Sequence, residues 1–190
     1  MLLRGTSIIF TYFVTKSSQS QSGEDLTESS QEFREESMST PGVPDGYHSV
    51  TPSLNLNGAA AAVEFYKAAF NAIERFRMPA EGDFIMHGEI QIGDSVVMFC
   101  DETPDWGALS PNSVGGCPLS LNLYVPDCDA LTARAETAGA EVLKPPTTYP
   151  WGERSSMVRD PFGYRWAVCQ QLEHLTPDEV QRRLANWTPE

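Results

Sequence analysis

Positive charge is scarce in this chain: 13 Lys and Arg stand against 26 Asp and Glu, a net charge of −13. Nucleic acid and anionic membranes are held by clustered Lys and Arg, so this balance argues against both as partners. A small molecule or another protein fits better. Histidine is limited to His48, His87 and His174. The four cysteines, Cys100, Cys117, Cys128 and Cys169, form no C-x-x-C pair, which excludes the usual zinc-knuckle and thioredoxin-type spacings. They read as free thiols of a reducing compartment, and a cytoplasmic location follows as an expectation. There is no glycine-rich cofactor loop. The apolar run near the N-terminus, "MLLRGTSIIFTYFV", is too short to span a bilayer.

What is present is enough for a core: 41% of residues are hydrophobic and 10% aromatic over a length that suits one domain. Residues 1–40 differ from the rest. The Ser-, Gln- and Glu-rich piece "TKSSQSQSGEDLTESSQEFREES" has too little apolar surface to order itself. Two readings of the segment stand. It is a disordered or extraneous extension, with compact sequence beginning at Met38, or it carries an export signal built on Arg4 and the apolar residues after it.

The strongest internal signal is a repeat. "SLNL" occurs at Ser53–Leu56 and again at Ser120–Leu123. Each copy is followed by a cap signal, Asn57 or Asp127, then by an Ala-rich amphipathic helix. Val63, Tyr66 and Phe70 share one face of the first helix; Leu131, Ala135 and Ala138 share one face of the second. Asn71 and Gly139 are good left-handed stops. Further on, "FIMHGEIQIGDSVVMFCDE" reads as two strands turned at Gly93-Asp94. "SSMVRDPFGYRWAVCQQ" reads as two strands turned at Asp160-Pro161-Phe162-Gly163. The spacing drifts by a few residues over the unit, as loop insertions would cause. The expectation is therefore α+β: two tandem βαβββ modules, about 48–103 and 118–172, forming a curled, mostly antiparallel eight-stranded sheet around a cleft with the helices outside. Residues 173–190 add a C-terminal helix, with Thr176 as cap, Pro177 first, and Val180, Leu184 and Trp187 as its apolar stripe.

Residues 46–172 resemble the vicinal oxygen chelate (glyoxalase/bleomycin resistance/dioxygenase) superfamily, and within it the PhnB-like branch. The stretches "PDGYHSVTPSLNLNGAAAAVEFYKAAFNA", "MHGEIQIGDSVVMFCDE" and "WGERSSMVRDPFGYRW" carry the resemblance, the D-P-x-G turn most specifically. Metal-using members take ligands from the first and last strands of each module. The matching positions here are Thr51 or Ser53, Val97 or Met98, Ser120 or Leu121, and Ala167, none of them a His or a carboxylate. No cofactor is expected at these standard positions. A divalent metal remains an alternative at a relocated site.

That alternative centres on His87 and Glu89. They alternate on one strand with Gln91, about 7 Å apart along the backbone, as half a metal site or an acid–base pair. Candidate ligand-binding residues are Arg154 for a carboxylate or phosphonate, the aromatics Trp151, Tyr149 and Trp106, and the repeat-equivalent amides Asn55 and Asn122. Three functional readings follow. The first is a small-molecule-binding protein, homodimeric, with its ligand in the inter-module cleft. The second is a lyase- or isomerase-type enzyme using His87 and Glu89. The third is a protein interaction module.

Overall fold

The computed structural model describes residues 41–79 and 81–188. The extension read at residues 1–40 lies outside the described residues. From Ser53 onward the order is β1 (Ser53–Leu56), α1 (Ala59–Phe70), β2 (Ile73–Pro79), β3 (Ile85–Ile92), β4 (Ser95–Asp101), a short 3-10 turn (Pro104–Trp106) and α2 (Pro111–Val114). It continues with β5 (Ser120–Tyr124), α3 (Cys128–Thr137), β6 (Glu141–Tyr149), β7 (Glu153–Arg159), β8 (Arg165–Gln171) and α4 (Pro177–Leu184). Both βαβββ modules are present. The eight strands divide into two four-stranded sheets, ordered β1-β4-β3-β2 and β5-β8-β7-β6, and only β1–β4 and β5–β8 pair in parallel.

Alternation along the strands decides which face each residue serves. Leu54 and Leu56 on β1, Ile90 and Ile92 on β3, and Val97 and Phe99 on β4 are buried toward α1. Full burial of such side chains contributes about 1.5–3 kcal/mol each. The face of the first sheet away from α1 carries Ser53, Asn55, Glu89 and Met98, where β1, β3 and β4 pair in register. The second sheet repeats this scheme. Val158, Trp166 and Val168 face the core, and Ser155, Met157 and Ala167 face the other way.

The two modules share one core. Tyr66 and Phe70 of α1 pack against Trp166, with ring centroids 5.6 and 4.8 Å away. Arg134 of α3 donates to the Ala69 carbonyl at 2.8 Å. At the centre lies the Asp160 carboxylate, 3% exposed. It accepts from the Tyr66 hydroxyl at 2.8 Å, from Trp166 Nε1 at 2.9 Å, and from the backbone N–H of Phe162 and Tyr164. The D-P-x-G turn thus presents a carboxylate that binds both modules, as well as closing a hairpin.

The helix starts are capped differently from one another. Asp127 caps α3 as the sequence suggests, accepting from Ala130 N at 2.9 Å. Asn57 does not cap α1. Its side chain reaches Glu102, and the residue before α1, Gly58, is the N-cap, in a left-handed conformation. The Asp101 carboxylate at the end of β4 takes over the capping, accepting from Gly58 N at 3.1 Å and Ala59 N at 2.8 Å, and from Ile85 N at 2.7 Å. A cap supplied from a distant strand has no local sequence signature.

Candidate functional site

The open face of the first sheet carries a cluster of polar groups. His87 and Glu89 are held there because Gly88, Ile90 and Ile92, which alternate with them, are drawn into the core. Gly88 is required for this. A Cβ at that position would lie 2.3 Å from the Phe99 ring, so only glycine lets β3 sit flush over Phe99.

His87 Nε2 lies 3.6 Å from Glu89 Oε1. Arg75 Nη1 lies 3.9 Å from Glu89 Oε2, and its guanidinium sits over the Tyr47 ring, 5.1 Å from the centroid. Tyr47 also meets Glu89: burial first, then the Glu89 carboxylate, push the phenol pKa up, while Arg75 pulls it down. Glu89 is the hub, its side chain only 14% exposed against 38% for His87 and 30% for Arg75. Phe76 forms an apolar side, its ring 6.2 Å from that of His87. The arrangement combines a shielded carboxylate, an imidazole, a guanidinium and a phenol. It can hold a polar ligand by several hydrogen bonds, or pass a proton between Glu89 and His87.

Sequence reasoning found His87 and Glu89 and missed Arg75 and Tyr47. Arg75 reaches this face through a bulge. Glu74 pairs with Ile90 and Phe76 pairs with Glu89, so Arg75 is the extra residue. Glu74 meanwhile stays on the helix side, bound to Lys67 and Arg77. Tyr47 precedes the first strand and arrives by tertiary folding. Neither position has a local signal beyond its residue type.

The other predicted residues do not gather at this cluster. Asn55 is the nearest in kind, on the same sheet face, its Oδ1 accepting from the Cys100 thiol at 3.4 Å. Burial, with Asp101 adding, pushes the Cys100 thiol pKa up and makes it a poor nucleophile. Asn122 lines a separate cavity of about 380 Å³ between the modules, with His48, Val96, Leu123 and Trp166. Trp106 is 79% exposed on the 3-10 turn. Trp151 stacks on Tyr149 at 4.4 Å, and both meet Trp187 edge-on at 6.0 and 6.2 Å. This pair therefore seats the C-terminal segment.

Arg154 lies apart from this cluster. It shares a strand face with Ser156 and Val158, the face that α3 covers. Its guanidinium is spent on Asp129 of α3, at 2.5 and 2.7 Å, and on Thr148 Oγ1 at 3.1 Å. Alternation places Arg154 away from the open face, and a helix carboxylate has taken both prongs of the fork.

The positions matching the superfamily's metal ligands do not fit a divalent ion. Ser53 stands beside Met98 in register, and Ala167 stands beside Asn122 and Met157. These side chains offer one hydroxyl, two thioethers and one amide, a poor donor set. His87 and Glu89 bring two donors. No group of three or more His, Cys, Asp or Glu is placed to hold a metal among the described residues. No helix among them is long and apolar enough to cross a membrane.

A model of the Glyoxalase/Bleomycin resistance protein/Dioxygenase superfamily matches residues 48–168. An uncharacterized protein of Mycobacterium bovis is 34% identical over 140 residues, covering 72% of this chain and 92% of that protein. Among solved structures, TioX from Micromonospora sp. ML1 superposes with a TM-score of 0.54 at 26% identity, covering 65% of this chain and 98% of that one. A gene product of Arabidopsis thaliana superposes at 0.52, also at 26% identity, covering 64% and 98%.

Proposed function

The chain belongs to the Glyoxalase/Bleomycin resistance protein/Dioxygenase superfamily, and from that premise we propose that it binds a small polar molecule on the open face of its first sheet, at Glu89, His87, Arg75 and Tyr47, without the ligand set of metal-using members. One observation carries this reading. A carboxylate only 14% exposed is ringed by an imidazole and a guanidinium on a sheet face that no helix among the described residues covers. A shielded carboxylate favours a ligand that presents a hydrogen-bond donor or a cationic nitrogen to Glu89, and an acceptor to Arg75.

We place this protein in the cytoplasm as a homodimer. Exposed apolar side chains on the strands, Ile73, Phe76, Met86 and Tyr124, support a second copy covering the open faces. The four free thiols support a reducing compartment.

A second reading rests on the 3.6 Å approach of His87 to Glu89. The pair then acts as acid and base in a lyase- or isomerase-type proton transfer next to a carbonyl. A thermal-shift screen of small amines, amides and hydroxy acids separates the outcomes. Ligands that stabilise the wild type and leave Glu89→Gln unshifted support the site. Ligands whose shift survives both Glu89→Gln and His87→Ala overturn it. Metal content of the wild type and of His87→Ala, measured by plasma mass spectrometry, tests a relocated metal in the same proteins.

A further inference from the structure

The second sheet carries a charge arrangement that the first-sheet site does not use. Glu141 on β6, Arg159 on β7 and Arg165 on β8 are consecutive cross-strand partners, and Ser120 on β5 continues the row. Two arginines are therefore direct neighbours across a strand pair. Like charges so placed are destabilising unless something compensates them. Glu141 compensates one, through its ion pair with Arg159. Arg165 is in no ion pair among the described residues.

Both arginines line a cavity of about 580 Å³, which the Gly115-Gly116-Cys117 loop also lines. Asp160 also borders it. The Asp160 carboxylate, however, is turned into the core, where Tyr66, Trp166 and two backbone N–H groups engage both its oxygens. The remaining acid, Glu141, is matched by Arg159. One guanidinium is left over at a cavity of ligand size. Leu143, Pro111 and Pro161 give the cavity an apolar part.

We propose that this cavity is a binding site for a small oxyanion, a molecule with a carboxylate or phosphate group and a short apolar body, gripped by Arg165 and flanked by Arg159. Arg165 supplies a two-pronged fork that either anion accepts in bidentate fashion. The site is independent of the Glu89 cluster, which lies on the other sheet. Cys117 on the cavity wall is a half-buried free thiol and serves as a local reporter.

The test is calorimetric titration of inorganic phosphate and, separately, of succinate into the full chain at low, constant ionic strength. Wild type, Arg165→Gln and Arg165→Lys are compared. The expected result is millimolar-range binding of at least one anion. Affinity falls tenfold or more in Arg165→Gln and is partly kept in Arg165→Lys. Binding of phosphate alone assigns a phosphorylated ligand, and binding of succinate alone assigns a carboxylate. The bound anion should also slow iodoacetamide alkylation of Cys117, followed by peptide mass spectrometry, while alkylation of Cys100 on the other sheet is unchanged. Arg165 is exposed and its removal relieves the like-charge neighbour Arg159, so the glutamine variant should unfold at or above the wild-type midpoint, which keeps a folding defect from imitating lost binding. Absence of binding by both anions overturns the proposal, and so does equal affinity in Arg165→Gln.

Discussion

The Tyr164 hydroxyl bonds both backbone groups of Asn55: it accepts from the Asn55 N–H at 2.9 Å and donates to the Asn55 carbonyl at 3.0 Å, across 109 residues of chain. A single phenol from the last hairpin thereby satisfies the free edge of β1, where another strand would otherwise pair. It blunts a sheet edge and ties the first module to the second.

Tyr164→Phe removes that double bond and leaves a part-buried donor and acceptor without a partner. The expected cost is about 1–3 kcal/mol, the usual range for stranded polar groups. It is read as a lower urea midpoint with unchanged slope. A midpoint equal to wild type would mean that water replaces the hydroxyl without loss and that the junction is held by apolar packing alone.

Gly88→Ala tests the tight contact beneath the candidate site. The added methyl would overlap Phe99, which is 1% exposed and has little room to move. Overpacking of this kind costs about 1–3 kcal/mol. Because Gly88 separates His87 from Glu89, the same variant should weaken any ligand held by that pair. Unchanged stability would show that Phe99 has a second rotamer and that glycine is not required here.

Much of this fold was legible. The period-2 strands, the left-handed stops at Asn71 and Gly139, the Asp127 and Thr176 caps and the two hairpins all rest on neighbours in sequence, and the structure has each of them. What could not be read depends on distant partners. Asp101 caps α1 from β4, and Asp160 reaches Tyr66 across 94 residues. Within the candidate site, His87 and Glu89 were visible because alternation put them on one face. Arg75 was hidden by a bulge, and the commitment of Arg154 to Asp129 depends on how α3 lies over β7.

Arg154→Ala should accordingly leave ligand binding at the Glu89 cluster unchanged. Its guanidinium holds Asp129, and that ion pair keeps the Asp129 carboxyl below the usual range. A calorimetric titration of any ligand found in the screen decides this. A tenfold loss of affinity in Arg154→Ala would restore the role its residue type first suggested.

Cys169 should be slow to form a reactive thiolate in the native protein. Burial first, then the neighbouring Glu153 carboxylate, push its pKa up to about 12. In native protein it should resist iodoacetamide at pH 8 and react once the chain is unfolded. Glu153→Gln removes the negative charge and should bring the onset of reaction to lower pH. Rapid native labelling of Cys169 at pH 8 would contradict the shielding on this face.

Asp160 gives a pH signature whose sign is set by two opposed effects. Four donors favour its carboxylate, while burial favours the neutral acid, and burial is the larger, so its pKa is raised. A carboxyl raised in the fold contributes stability that is full below its unfolded pKa, about 3.9. That contribution is lost as pH rises through the folded value. The carboxylates of Glu74 and Glu102 act the other way, since hydrogen bonds to Arg77 and to Ser113 lower theirs. The total acid response therefore mixes signs, and a difference between two proteins is needed to isolate Asp160. Asp160→Asn is that comparison. The amide must turn its NH₂ toward existing donors, a fixed penalty at every pH, and it does not titrate. The stability gap between wild type and Asp160→Asn, from urea unfolding, should widen on going from neutral pH to about pH 3.5, because only the wild type gains from protonation at this position. A gap that narrows on acidification would mean the four donors outweigh burial, and that Asp160 holds the two modules together as an anion.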